Sequence, residues 1–121
     1  MITIEAARTQ DGREPVEEFL AKLLKSRRKR RYLAEVMILF EDWARLGDFN
    51  DTLRQRELRD DLWEVKTSHL RFPYYELRDE HGRVARLTHG FDKEFGKTVD
   101  GKAPRKHFDR GLWGIEEDRQ C

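Results

Sequence analysis

The sequence predicts an α+β fold in which a helical hairpin packs on one face of an antiparallel sheet and the other face is open and concave. Three observations lead to this prediction. Helical periodicity dominates the first part of the chain, and period-two alternation dominates the part after residue 54. The chain has 121 residues, enough for one domain, so residues 1–121 are read as a single unit of order β-α-α-β-β-β-α.

The first strand and the two helices are predicted from the amino-terminal half. Met1–Ala7 alternates apolar and polar side chains, as a half-buried strand does. Pro15 suits the first position of a helix. The apolar residues of that helix recur at helical spacing: Val16, Phe19, Leu20, Leu23 and Leu24. Ser26 is expected to cap a second helix, and Gly47 to end it. The apolar stripe of the second helix is Leu33, Val36, Met37, Phe40, Trp43 and Ala44.

Three further strands are predicted over Arg56–Thr67, Leu70–Arg78 and Arg83–Phe91. The segment Asp79–Gly82 is a hairpin turn signal between the last two strands, which predicts an antiparallel meander. Pro73 cannot donate a backbone hydrogen bond, so it is expected at an unpaired position or a bulge.

Alternation assigns side chains to the two faces of this sheet. Leu70, Phe72 and Tyr74 fall on one face, which is therefore apolar, and charged residues fall on the other. A short closing helix is expected over residues 104–110, because Gly111 and Gly114 argue against its continuation. Residues from about 111 to 121 would then form an acidic tail.

Composition excludes several classes of protein. No apolar stretch approaches the roughly 18–20 residues that cross a bilayer, and the start lacks the pattern of a signal peptide, so a cytoplasmic protein without membrane contact is expected. The one cysteine, Cys121, allows neither a disulfide framework nor a cysteine-based zinc site within one chain. The four histidines include no helical pair, and no metal or other cofactor is expected.

Positive charge is concentrated in one segment. The formal net charge is only +1, but residues 22–31 contain seven basic residues and no acid. Its arginines are Arg27, Arg28, Arg30 and Arg31. Cations in the first turn of a helix oppose the helix dipole, so an external anion would relieve the repulsion. The alternative is an ordinary solvated helix face.

Four segments, taken together in their order and spacing, carry a family resemblance. They are Pro15-Val16-Glu17-Glu18-Phe19-Leu20, Leu58-Arg59-Asp60-Asp61-Leu62-Trp63-Glu64-Val65-Lys66, Leu70-Arg71-Phe72-Pro73-Tyr74 and Leu87-Thr88-His89-Gly90-Phe91-Asp92-Lys93. With these segments the chain resembles the RelE/ParE superfamily of bacterial toxins, and within it the HigB-like, phage-derived branch. The resemblance implies a RelE-like fold and the toxin of a type II toxin–antitoxin system. Ribosome-dependent members are endoribonucleases (mRNA interferases) that cut messenger RNA without a metal and so inhibit translation. The implied partners are messenger RNA, the ribosome and a cognate antitoxin, often of helix-turn-helix type.

The resemblance also assigns residues position by position. Lys66 stands where the family usually has arginine, and Arg71 matches the arginine of the next strand. Lys93 matches the first of two paired lysines, and Glu94 replaces the second. The basic segment that follows in the family is similar to Lys97 and its neighbours. Lys66, Arg71 and Lys93 would stabilise charge on the attacked phosphate, and Lys97 would bind RNA.

Arg71 is the strongest single candidate of this set. Its planar guanidinium can grip two phosphate oxygens while the strand holds it rigidly. The alternative for Arg71 is a surface salt bridge to Glu64 or Glu76.

Three more residues are candidates with weaker support. His89 has an unperturbed titration range suited to proton transfer, but alternation along the last strand favours a buried core imidazole. Alternation gives Tyr75 to the open face, where it would stack on an unpaired base. Arg59, within the second resembling segment, is expected to contribute to RNA binding.

Two other functions fit the same sequence. The ParE branch poisons DNA gyrase, and the sequence separates it poorly from the nuclease branch. A phage-derived binding protein that kept the fold and lost the chemistry is favoured by Glu94 and by the low net charge. The oligomeric state, the antitoxin and the transcripts cut are not predicted.

Overall fold

The structure, a computed structural model of the chain, describes residues 1–93 and 105–120, with the backbone alone for residues 105–108. Glu94, Lys97 and Cys121 lie outside the described residues. Within the described part, the fold is α+β, with three helices and one mixed sheet of six strands. The elements are β1 Thr3–Ala6, α1 Pro15–Lys25, α2 Tyr32–Leu46, β2 Gln55–Arg59, β3 Leu62–Lys66, β4 Leu70–Asp79, β5 Gly82–Leu87, β6 Phe91–Asp92 and α3 Arg105–Arg119.

The sheet is mixed rather than wholly antiparallel. Its strand order is β1-β5-β4-β3-β2, and the short β6 pairs with β4 next to β5. β1 runs parallel to β5, with Thr3 opposite Val84, while the other pairs are antiparallel. The prediction of an antiparallel sheet is therefore wrong for β1. The long connection through α1 and α2 gives the chain the length that a parallel pairing requires.

The predicted strand Arg56–Thr67 is in fact a hairpin of β2 and β3. Asp60 adopts a φ of 52°, a left-handed conformation that aspartate tolerates better than most residues, and the chain reverses there. The register between the two strands shifts between Glu57 and Arg59, which marks a bulge. The turn at Asp79–Gly82 lies between β4 and β5 as predicted.

Both helices of the hairpin form, although α2 begins later than predicted. Pro15 opens α1, and Gly47 ends α2 with a φ of 85°, as expected. Ser26 does not cap α2. Its Oγ accepts a hydrogen bond of 3.2 Å from the Lys29 N–H and so holds a separate turn, residues 27–31, before the helix starts at Tyr32. The basic residues therefore lie ahead of the first helical turn.

The main core lies between the helical hairpin and one face of the sheet. Leu70, Phe72 and Tyr74 are buried there, which confirms the predicted apolar face. Trp43 of α2 is fully buried and meets the Tyr74 ring edge-on at 4.6 Å between centroids. Other buried members are Val16, Leu23, Val36, Leu39, Val65, Ala85 and Leu87. The helical hairpin and the sheet thus form two layers around this core.

α3 covers part of the second face, so the predictions of an acidic tail and of an open face are both wrong there. Ile115 packs in a second core cluster with Leu58, Leu62 and Tyr75. The helix continues through Gly111 and Gly114 because one glycine packs against β3 and the other against the connection that follows β5. An added Cβ would lie 2.8 Å from Leu62 at position 111 and 3.0 Å from Thr88 at position 114. Close packing outweighs the low helix propensity of glycine.

Pro73 lies in the interior of β4, where that strand changes partner. On one side β6 pairs with Leu70 and Arg71, and β5 pairing begins at Tyr74. The Pro73 carbonyl accepts a hydrogen bond of 2.9 Å from the Thr88 N–H in the connection between β5 and β6. The ladder is interrupted at Pro73 on the side of β5 and β6, where an imino acid is tolerated, but on the other side Pro73 is the register partner of Glu64 on β3. The expected unpaired position is therefore found on one side only.

Candidate cationic site

A group of four ionisable side chains lies on the second face of the sheet, beyond the part where Ile115 of α3 packs against Leu62 and Tyr75. We call Arg56, Glu64, Lys66 and Arg71 the cationic cluster. Arg56 on β2 is the register partner of Glu64 on β3, and Lys66 is the register partner of Arg71 on β4. Directly opposite residues project to the same face, with Cβ atoms about 5 Å apart. The antiparallel register thus brings two of the predicted catalytic residues side by side.

Three members of the cluster are buried, and two of these carry atoms without a hydrogen-bond partner. Lys66 is 8% exposed, Arg71 9% and Glu64 0%. Both carboxylate oxygens of Glu64 and the Nε of Arg71 have no hydrogen-bond partner. Buried polar groups are normally bonded, so three unsatisfied atoms in one cluster are unusual.

The salt bridges expected as alternatives for Arg71 do not form. Among the residues that the structure describes, no ion pair within 4.0 Å joins Arg71 to Glu64 or to Glu76. The Glu76 carboxylate instead accepts a bond of 2.6 Å from the Nη2 of Arg83. The Arg71 guanidinium is therefore buried without an ion pair to either carboxylate.

Burial dominates the electrostatics of the cluster. It raises the pKa of the Glu64 carboxyl, although the nearby Arg71, Lys66 and Arg56 act in the opposite direction. Burial lowers the pKa of the Lys66 ammonium, and the charge of Arg71 lowers it further. The pKa of Arg71 is also lowered by burial, with Glu64 opposing the shift. One carboxylate therefore lies among three cations, and burial desolvates Glu64, Lys66 and Arg71.

Lys93 lies at the same end of the sheet as this cluster. It is exposed and directly follows β6, where its N–H donates to the His69 carbonyl at 3.0 Å. Its charge contributes to the lowered pKa of Lys66, so the two ammonium groups are within electrostatic reach. The three predicted catalytic cations thus belong to one region of the molecule.

The basic turn, residues 27–31, also adjoins β6. The Nζ of Lys29 is 3.1 Å from the Oδ2 of Asp92, the residue before Lys93. Its predicted RNA-binding members are exposed: Arg27, Arg28, Arg30 and Arg31. The turn is followed by Tyr32, whose ring stacks on His69 at 4.2 Å. These contacts fix the basic turn beside Lys93.

His89 is buried, with 1% of its surface exposed. Its Nδ1 lies 2.9 Å from the Thr88 hydroxyl, and its ring stacks on Phe91 at 5.9 Å between centroids. Phe91 is the register partner of Arg71. The geometry agrees with the buried-imidazole alternative, with Phe91 adjoining both His89 and Arg71.

Two predicted RNA-binding residues lie elsewhere. Tyr75 is on the second face, but it is only 2% exposed under α3, and its hydroxyl donates to the buried carboxylate of Asp118. The expectation that Tyr75 lies open for stacking on a base is therefore wrong. Arg59 is exposed at the turn end of β2, 3.6 Å from Asp60, and not at the Lys66 end of the hairpin.

Glu64 and Arg56 are the members of the cluster that the sequence did not mark as site residues. Alternation along β3 already places Glu64 on the face of Lys66. Its complete burial depends on neighbouring elements and leaves no signal in the sequence. Arg56 was missed because Arg56–Thr67 was predicted as one strand, and only a hairpin of β2 and β3 places Arg56 opposite Glu64.

Two further features are absent from residues 1–93 and 105–120. No group of three or more histidine, cysteine, aspartate or glutamate side chains in these ranges is arranged to hold a metal ion. No helix in the same ranges is long and apolar enough to span a membrane.

Comparison of the sequence with models of known protein families and with curated proteins found no match.

Proposed function

We propose that this protein is the toxin of a type II toxin–antitoxin pair, a HigB-like member of the RelE/ParE superfamily that cuts messenger RNA on the ribosome. The observation that carries the proposal is the cross-strand pairing of Lys66 with Arg71, two buried cations that form no ion pair within 4.0 Å with a carboxylate of the described residues. Lys93 and the basic turn extend the positive region along the same end of the sheet. A sugar–phosphate chain is the ligand class that such a region suits.

The proposed reaction is an internal phosphoryl transfer that needs neither metal nor cofactor. The ribose 2′ oxygen forms a bond to phosphorus while the bond from phosphorus to the 5′ oxygen breaks. A base removes the 2′-hydroxyl proton, and an acid gives a proton to the 5′ oxygen. The products are a 2′,3′-cyclic phosphate and a 5′-hydroxyl end.

Each cation has a role in this scheme. Arg71 binds two non-bridging oxygens of the attacked phosphate through its planar fork, which stabilises the developing negative charge. Lys93, whose side chain is exposed, adds positive charge. Lys66 is assigned proton delivery to the 5′ oxygen because burial lowers the pKa of its ammonium and so makes it a better acid. His89 is not assigned this step because it is buried against Phe91.

The remainder of the fold also supports this proposal. A helical hairpin on one sheet face, a meander of β2 to β5 and a carboxyl-terminal helix fit the RelE-like arrangement that the four sequence segments suggest. The exposed arginines of the basic turn are proposed to bind ribosomal RNA or, in the inhibited state, an acidic segment of the antitoxin.

Expression in bacteria from a tightly regulated promoter tests the proposal. The wild-type protein should arrest growth, block translation and produce transcripts cut at defined positions in primer extension. Arg71→Ala should relieve the arrest, whereas Arg78→Ala, at the exposed far end of the same strand, should not. Unchanged toxicity of Arg71→Ala would remove Arg71 from the site. Intact transcripts accompanied by DNA damage would replace the nuclease with a gyrase inhibitor.

A non-catalytic binding protein is the second candidate, and the burial of the cluster favours it. Lys66 and Arg71 are each less than a tenth exposed, so an RNA phosphate reaches them only after neighbouring groups move. This candidate predicts normal growth on expression, no cut transcripts and a stable partner recovered with the purified protein. Growth arrest that depends on Arg71 would rule it out.

A further inference from the structure

Glu64 occupies the centre of the cationic cluster. Along β3 it lies two residues from Lys66, on the same face, and across the sheet it faces Arg56 on β2. On β4 its direct partner is Pro73, and Arg71 is the diagonal neighbour. Diagonal neighbours on one face lie about 7–8 Å apart, within reach of long side chains. One carboxylate is thus set among three cations contributed by three adjacent strands.

The arrangement of the two catalytic cations needs an explanation. Lys66 and Arg71 are direct cross-strand partners, and like charges in this position repel each other. Both are buried, which strengthens the repulsion because the surroundings screen it poorly. Glu64 is the acidic side chain that shares their face in this part of the sheet. Its negative charge offsets part of the repulsion between Lys66 and Arg71.

Glu64 does this without forming hydrogen bonds. Neither of its oxygens has a hydrogen-bond partner, and the Nε of Arg71 has none either. A structural salt bridge would occupy the guanidinium donors and leave fewer for a ligand. Here the Glu64 carboxylate is near enough to act on Arg71 through its charge, but the N–H groups of Arg71 donate no hydrogen bond to it.

We propose that Glu64 is a positioning residue that holds Lys66 and Arg71 side by side through its charge and leaves their N–H donors for the RNA phosphate. This inference rests on the proposed nuclease function and adds the residue that prepares its phosphate-binding pair. Glu64 itself does not touch the substrate.

In this positioning role the charge of Glu64 lowers the stability of the folded protein, whereas a purely structural residue would raise it. Burial raises the pKa of Glu64, so the charged form is less favourable in the folded protein than in the unfolded chain. Replacing the carboxylate by a neutral amide should therefore leave the fold as stable as before or more stable. A loss of catalysis without a loss of stability would separate positioning from folding.

The test compares Glu64→Gln and Glu64→Asp with Glu57→Gln. Glu57 is exposed on β2 and gives the same change in net charge away from the buried cluster. Cleavage is measured in single turnovers on ribosomes programmed with a short messenger RNA, and binding is measured with the same RNA fully 2′-O-methylated. Glu64→Gln should cleave about tenfold more slowly or worse, with binding equal or tighter because a negative charge is lost. Glu64→Asp should recover part of the rate, and Glu57→Gln should match wild type.

A second measurement needs no RNA. The pKa of Lys66 is followed by NMR of the ¹³C-dimethylated protein, with Lys66→Arg used to assign the signal. Because Glu64 raises the pKa of Lys66, this value should fall in Glu64→Gln and stay unchanged in Glu57→Gln.

The outcomes distinguish the inference from the function on which it rests. Wild-type protein that neither binds nor cleaves the programmed message would overturn the proposed nuclease. The positioning role of Glu64 is overturned separately if Glu64→Gln cleaves as fast as wild type, or if the Lys66 pKa is the same in both. A parallel loss of rate and thermal stability in Glu64→Gln would also overturn it, because Glu64 would then serve the fold alone.

Discussion

The docking of α3 depends on one buried carboxylate, and its removal should destabilise the whole domain. Asp118 is 4% exposed and accepts three hydrogen bonds from three different parts of the chain. The donors are the Arg8 N–H at 2.9 Å, the Arg86 Nη1 at 3.0 Å and the Tyr75 hydroxyl. Asp118→Asn keeps the size of the side chain, removes its charge and turns one acceptor into a donor. At least one of the three donors then faces another donor.

The expected loss is about 3 kcal/mol in the free energy of unfolding, because breaking a buried charged contact typically costs 3–5 kcal/mol and the amide oxygen still accepts one bond. For a chain of this length that corresponds to a fall of roughly 10 °C in Tm. Thermal unfolding followed by circular dichroism and urea titration both measure it. The urea m-value should not change, because the folded and unfolded states expose the same surface as before.

Asp109→Asn on the same helix is the control, because Asp109 is exposed and the change in charge is identical. This variant should stay within about 0.5 kcal/mol of wild type. If Asp118→Asn is no less stable than Asp109→Asn, the three contacts do not hold α3 in place, and the reasoning from burial fails.

Three more predictions concern stability and RNA binding. Gly111→Ala should lower the free energy of unfolding in urea by about 1–3 kcal/mol, because the new methyl group meets Leu62. Alanine normally favours a helix, so a gain in stability would contradict the close packing. The difference in unfolding free energy between Glu64→Gln and wild type should grow as the pH rises above about 4.3. The reason is that the Glu64 carboxyl has a raised pKa, so its deprotonation destabilises the folded wild-type protein. A difference independent of pH would refute the raised pKa. Replacing both Arg27 and Arg30 by glutamine should reduce the slope of log affinity for single-stranded RNA against log salt by about 1.4; an unchanged slope would remove the basic turn from the RNA interface.

The elements that local sequence determines were predicted well. Pro15 starts α1, Gly47 ends α2, and the alternation of Leu70, Phe72 and Tyr74 identifies the face that the helices cover. Each of these signals depends on the residue itself or on its immediate neighbours. The coarse α+β class follows from them directly.

The features that were mispredicted depend on distant parts of the chain. The helix propensity of Gly111 is poor in isolation, and only contact with Leu62 on β3 makes its missing side chain an advantage. The break at Asp60 was overlooked because Arg56–Thr67 reads as one long alternating strand, whereas the turn needs only one residue with a positive φ. Parallel pairing of β1 likewise has no local signature.

The candidate site was predicted in part for the same reason. Lys66 and Arg71 flank a short turn, so a hairpin brings them together whatever the rest of the chain does. Their burial, and that of Glu64 beside them, comes from neighbouring elements that the alternation pattern does not specify. For Tyr75 the face of the sheet was predicted correctly, but its exposure was not, because α3 covers it.

The parallel pairing of β1 with β5 also determines when the domain can be completed during synthesis. Thr3 and Ile4 leave the ribosome well before their partners Val84 and Ala85, which are translated near the end of the described strands. Until then the opening segment has no sheet edge to join, and its buried Ile2 remains solvated. Contacts between such distant positions form slowly, since a long loop must close first. A nascent chain arrested before Gly82 should therefore stay sensitive to protease at its amino terminus.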